Sequence, residues 1–175
     1  MKKIIFRILR VAFSPFYDSK YLTGRWFDGT PHYNGWIWAF KGLCNKNKVP
    51  FPTSRMMRTG KDISFHPDDL HNFQQMGCYF QTGNGGHIMM GKGTQIAPNV
   101  GLITANHDLN DLTKHLPARN IMIGEKCWIG MNSVILPGVT LGDRTIVGAG
   151  SIVTKSFIGG NCIIAGNPAE FIRGI

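Results

Sequence analysis

Aliphatic residues recur at every sixth position from Ile123 onward, and that period constrains the fold more than any other feature of this 175-residue chain. The anchors are Ile123, Ile129, Ile135, Leu141, Val147 and Val153. The residue after each anchor is mostly small: Gly124, Gly130, Gly142, Gly148 and Thr154, with Leu136 as the exception. Four residues after successive anchors stand Cys127, Ser133, Val139, Thr145 and Ser151, again small or β-branched. The register also runs earlier, through Met90-Gly91, Ile96-Ala97 and Leu102-Ile103, with Thr94 and Val100 in the fourth position. A period of six suits neither an α-helix nor an alternating hairpin. It suits short strands that turn a corner every six residues, so that three sides close a triangular coil. Neighbouring coils then pair as parallel strands and satisfy each other's backbone. The anchors fill the coil and the small residues let the backbone turn.

The spacing from Leu102 to Ile123 is not a multiple of six. A loop therefore breaks the coil over about 105–120, ANHDLNDLTKHLPARN, which is polar and carries His107 and His115. An excursion from a rigid scaffold is where function collects. Before Met90 the period fails. Residues 1–83 read as a terminal helix, an irregular aromatic segment with Trp26, Trp36 and Trp38, and a cap on the open end of the solenoid. A helical turn is expected near Pro67, with Asp68 and Asp69 favourable in its first turn. Residues 84–165 read as the solenoid. Residues 166–175 read as a tail in which AEFIRGI, after Gly166-Asn167-Pro168, forms a short helix. The expected class is mainly β. With 22 glycines and 9 prolines, a helical bundle is excluded, while 43% hydrophobic residues suffice for a buried core.

The net charge of +9 points to a polyanionic partner: nucleic acid, an anionic membrane or a phosphorylated small molecule. No recognition-helix or RNA-binding signature accompanies the charge. Cys44, Cys78, Cys127 and Cys162 form no CxxC pair, which argues against a zinc ribbon and suits reduced thiols in a cytoplasmic protein. The opening MKKIIFRILRVAF is too short and too charged to span a bilayer. As a helix it gathers Ile4, Ile5, Ile8, Leu9 and Ala12 on one face. One reading packs it on the body or a neighbouring subunit. The other lays it on the inner face of the membrane as a peripheral contact.

The block IMIGEKCWIGMNSVILPGVTLGDRTIVGAGSIVTK, followed by IIAGNPAEFIR, resembles the hexapeptide-repeat acyltransferases of the galactoside, maltose and virginiamycin acetyltransferase type, nearest to those acting on bacterial surface polysaccharides. The resemblance covers about residues 84–175. It implies a left-handed parallel β-helix, a homotrimer and acetyl-CoA as acyl donor, with no metal required. It implies an O-acetyltransferase for a sugar or saccharide hydroxyl. His107 takes the family's general-base position. Met131, Gly148, Ala149, Thr154, Lys155 and Arg173 fall along the CoA groove, the last two as phosphate partners. Glu170 departs from the family, which often has a basic residue there. Asn84, and less directly Gln81, fall at the acceptor site, where a tryptophan could stack on the sugar. Asp108 or a backbone carbonyl is expected to orient His107, and Gly130–Met131 to offer the oxyanion donor.

Other readings compete. An antibiotic O-acetyltransferase would share the same chemistry. A β-helix carbonic anhydrase would need three zinc histidines and could recruit His87 and His107. A non-catalytic solenoid would give His107 no role. The sequence names neither the acceptor nor the length of the acyl group.

Overall fold

The computed structural model describes residues 2–22 and 48–175. Helix α1 (Lys2–Phe13) and a 3-10 turn (Ser19–Leu22) come first. The strands then follow as β1 (Arg58–Thr59), β2 (Ile63–Ser64), β3 (Tyr79–Gln81), β4 (Ile88–Met90), β5 (Gln95–Ile96), β6 (Gly101–Ile103) and β7 (Ile121–Ile123). The rest are β8 (Trp128–Ile129), β9 (Val134–Ile135), β10 (Thr140–Leu141), β11 (Thr145–Val147), β12 (Ile152–Val153), β13 (Cys162–Gly166) and β14 (Ala169–Gly174). They form three sheets. The first face is β1-β3-β6-β9-β12, the second β2-β4-β7-β10, and the third β5-β8-β11-β13-β14. All pairings are parallel except β13 with β14. The chain is a left-handed parallel β-helix of triangular section.

The six-residue register is visible in the ladders. Ile96, Ile129, Val147 and Ile164 stack on the third face; Leu102, Ile135 and Val153 on the first; Met90, Ile123 and Leu141 on the second. All are buried, and each full burial of such a side chain contributes roughly 1.5–3 kcal/mol. The fourth-position residues are buried too, and their hydroxyls serve the corners. Thr94 Oγ1 donates to Gly124 O at 2.8 Å, Ser133 Oγ to Gly148 O at 3.0 Å and Thr145 Oγ1 to Gly142 O at 2.7 Å. This is why serine and threonine are tolerated inside the coil: corner carbonyls that lack a ladder partner gain one. The close coil-to-coil approach explains the glycines as well. A Cβ on Gly130 would lie 2.6 Å from the Ala149 nitrogen.

Among the described residues, parallel pairing begins at β1, ahead of residue 84. The first coils were hidden because they are packed differently. Phe51, Phe73 and Phe80 are fully buried, with Phe51 and Phe73 ring centroids 4.6 Å apart. Where the third face should start, a 3-10 segment (Pro67–Gln74) stands instead of a strand. Its Asn72 mimics a backbone unit: Oδ1 accepts from Ile96 N–H at 2.8 Å, and Nδ2 donates to Thr94 O at 2.8 Å. The helical turn expected at Pro67 is therefore also the cap.

The C-terminal helix is a correction. AEFIRG is strand β14, folded back on β13 through a turn in which Gly166 has φ +109° and the Asn167–Pro168 bond is cis. The reason is the open edge of β13, which needs a partner. The segment buries only Ala169, so it has no apolar face to hold a helix against the body.

Candidate active site

The loop 105–120 leaves the corner between the first and second faces, here termed the loop edge. Thr104 Oγ1 donates to Gln81 O at 2.8 Å and Ala105 N–H to Gln81 Oε1 at 3.3 Å, so Gln81 fastens the loop's root. The loop then folds back on itself: Asp108 N–H donates to Lys114 O at 3.0 Å and Leu116 N–H to Asn106 O at 2.8 Å. His107 and His115 face each other across this small hairpin, ring centroids 4.2 Å apart and tilted by 35°. Asp111 braces the tip. Its carboxylate accepts from Thr113 and Lys114, which hold its ionisation below the ordinary carboxylate range.

His107 is exposed, and its Nδ1 lies 2.8 Å from the Leu112 carbonyl oxygen. A carbonyl can only accept, so Nδ1 must carry the proton and Nε2 keeps its lone pair. Of the two orienters considered, the backbone carbonyl is the one in place. Asp108 Oδ1 accepts from Asn110 N–H at 2.8 Å instead. The sequence could not point to Leu112, because any residue supplies a carbonyl.

Asn84 occupies the same edge one coil below, exposed and at φ +58°, in the turn between β3 and β4. Thr154 and Lys155 occupy it two coils above the loop, both exposed. Met131, Gly148 and Ala149 do not join them. They stack on the far edge, where the chain passes from the third face to the first; Gly150 N–H donates to Met131 O at 2.8 Å and Gly148 N–H to Ile164 O at 2.8 Å. Gly130 N–H is taken by Val147 O at 2.9 Å, whereas Met131 and Ala149 N–H have no acceptor among the described residues. Arg173 lies exposed on β14, also without an ion pair among the described residues. Lys155 is different. Its Nζ meets Glu170 Oε2 at 2.6 Å, so the residue that departs from the family pattern neutralises one expected phosphate partner. Trp26, Trp36 and Trp38 lie outside the described residues.

No three His, Cys, Asp or Glu side chains converge on a metal position among the described residues. His87 Nε2 instead meets Ser64 Oγ at 2.9 Å. Cys78, Cys127 and Cys162 are free and buried, and burial pushes the Cys78 and Cys127 thiols up. Sequence reasoning passed over Arg58 and Tyr79, which flank a groove on the first face. No repeated pattern marks them: the ladder that pairs Arg58 with Tyr79 lies ahead of the hexad register.

Residues 120–155 match the bacterial transferase hexapeptide family model, six repeats. The chain is 44% identical over 91 residues to a galactoside O-acetyltransferase of Escherichia coli, covering 50% of this chain and 44% of that protein. It is 42% identical over 88 residues to a putative colanic acid biosynthesis acetyltransferase of Escherichia coli, covering 50% and 48%. A solved galactoside acetyltransferase in complex with coenzyme A superposes with a TM-score of 0.54 at 29% identity, covering 72% of this chain and 57% of the other. The chain thus spans about half the length of the curated relatives it matches.

Proposed function

We propose that this chain, whose residues 120–155 are a bacterial transferase hexapeptide repeat, is an acetyltransferase that moves an acetyl group from acetyl-CoA to a hydroxyl of a sugar or saccharide. The observation that carries the reading is the Nδ1–H···O=C bond from His107 to Leu112. It leaves the Nε2 lone pair of this exposed side chain to act as the base. Nε2 takes the acceptor's hydroxyl proton while the oxygen attacks the thioester carbonyl. The tetrahedral oxyanion collapses, the C–S bond breaks, and the imidazolium returns the proton to the CoA thiolate. The ring of His115 confines one face of the base.

The donor elements favour a site shared between copies. His107 and Asn84 stand on the loop edge, while the unpaired Met131 and Ala149 N–H groups stand on the far edge of the same chain. A pantetheine arm needs donors along its length and the base at its end. A neighbouring copy that lays its far edge against this loop supplies both, and the proposed homotrimer closes three such contacts. Arg173, and Lys155 once released from Glu170, are the cations for the nucleotide phosphates.

The relatives' names bear on the acceptor: one acts on galactosides and one is assigned to colanic acid biosynthesis. A surface-polysaccharide sugar, handled in the cytoplasm at the inner face of the membrane, fits both. Helix α1 agrees with such a place. Ile4, Ile8 and Val11 are exposed at helical spacing, and the segment contains Lys2, Lys3, Arg7 and Arg10 without an acidic residue. No helix among the described residues is long and apolar enough to cross a membrane.

The test is thiol release from acetyl-CoA with a panel of glycosides, run beside a native mass measurement. Acceptor-dependent release by a trimer is the expected result. Release that ignores every sugar hydroxyl, or full activity in a monomer, would contradict the proposal.

A further inference from the structure

A groove of about 400 Å3 opens on the first face, below the loop. That lies within the roughly 300–1,000 Å3 of small-molecule sites. Arg58 and Tyr79 are direct cross-strand partners, so their side chains leave the same face. Tyr79 is 45% exposed, which presents its ring instead of burying it. Its partner on the other side is Gly101, and beyond that Val134, so bare backbone lies beside the ring. Gln81, Thr82 and Gly83 continue the lining toward Asn84. Arg58 is the only charged residue in the lining, exposed and without an ion pair among the described residues. At the adjoining corner stand Lys61 and Asp62, the latter donating its N–H to Thr82 Oγ1 at 3.4 Å.

The groove is joined to the chemistry. Gln81 lines it and also accepts from Ala105 N–H, two residues before His107. One end of the groove therefore runs into the root of the loop that carries the base.

We infer that this groove is a second acceptor subsite, which takes a sugar residue bearing an anionic group, a carboxylate or a phosphate, next to the residue that is acetylated. The inference rests on the acetyl-transfer reading above. The apolar face of the sugar ring lies on Tyr79. The guanidinium fork of Arg58 holds the anion through paired N–H···O bonds, a geometry that a lysine could not reproduce. Gln81, whose Oε1 is held by Ala105 N–H, supplies its Nε2 as a neutral donor for a ring hydroxyl. Such a site disfavours a free neutral monosaccharide and favours a sugar within an acidic saccharide or one linked through phosphate.

The test uses the full chain and NMR titration with methyl glucuronide, glucose 1-phosphate and neutral methyl glucoside. Wild type should bind at least one anionic probe about tenfold more tightly than the neutral one, as a charge-assisted pair implies. Arg58→Gln should erase that preference while leaving the neutral probe, acetyl-CoA binding and the melting temperature unchanged. Tyr79→Ala should weaken all three sugars. A preference for glucuronide assigns an acidic sugar; a preference for the phosphate assigns a phosphate-linked one. Equal binding of charged and neutral probes by wild type would overturn the inference, as would an intact preference in Arg58→Gln. If the preference is present but no acceptor is acetylated, the groove stands and the transfer reading falls.

Discussion

The coils after Ile121 and the coils before Met90 share three ladders but are held together by different means. The later coils repeat one solution: an aliphatic anchor, a small corner and a buried hydroxyl serving the next corner carbonyl. The early coils use buried aromatic rings, and at the third face a side-chain amide takes the place of a strand. The first arrangement propagates and the second terminates. A parallel solenoid grows by repetition, but an exposed edge invites another chain. Its first coil must therefore break the rule that its later coils obey.

The difference can be probed in order of effect. Ile135 is fully buried among stacked anchors. Ile135→Asp would bury an unpaired carboxylate, and the whole β-helix should fail to fold, as circular dichroism would show. A folded variant of wild-type stability would contradict the register. At the cap, Asn72→Leu keeps the volume but strands Ile96 N–H and Thr94 C=O. The expected loss is about 2–5 kcal/mol in denaturant unfolding. A loss within ~0.5 kcal/mol would mean the amide does not replace a strand.

Asp69 tests the same cap through pH. Burial pushes its carboxyl above the ordinary range, against the pull of the Gly93 N–H and of His71 and His66. The folded state therefore keeps a proton that the unfolded chain releases near pH ~4. Asp69's contribution to stability falls as pH rises from there through the raised folded value, and is level above it. Asp69→Asn should remove that slope and gain on wild type toward neutral pH. An unchanged slope would exclude Asp69 as its source. The smallest effect concerns Lys155 and Glu170, an exposed pair of the kind worth about 0–1 kcal/mol. Glu170→Gln should leave unfolding unchanged and lower the apparent KM for acetyl-CoA a few-fold. An unchanged KM would place the phosphates elsewhere, Arg173 being the next candidate.

The regular half was legible because its constraint is local and repeated. Ile123 through Val153 each answer to the same neighbour three hexads away, so the pattern survives in one dimension. The early coils were not legible. Phe73 against Phe51 and Asn72 against Ile96 are single contacts between distant positions, without periodicity to betray them. β14 was misread because its partner, the open edge of β13, exists only once the coil is built. His107 was singled out by the family resemblance and by its place outside the register, and the structure puts it exposed on the loop. Its orienter, the Leu112 carbonyl, belongs to the backbone and leaves no mark in residue identity.

On the proposed function, a rigid coil holds a loop whose histidine supplies the chemistry and not the stability. His107 is exposed, and among the described residues its side chain hydrogen-bonds only within the loop. His107→Ala should therefore keep the melting temperature, the assembly and acetyl-CoA binding, while kcat for acetyl transfer falls about 10²–10⁴-fold. Single-turnover transfer measured beside thermal unfolding on the same sample decides it. Near wild-type transfer by His107→Ala would contradict the account, as would an equal loss of stability and activity.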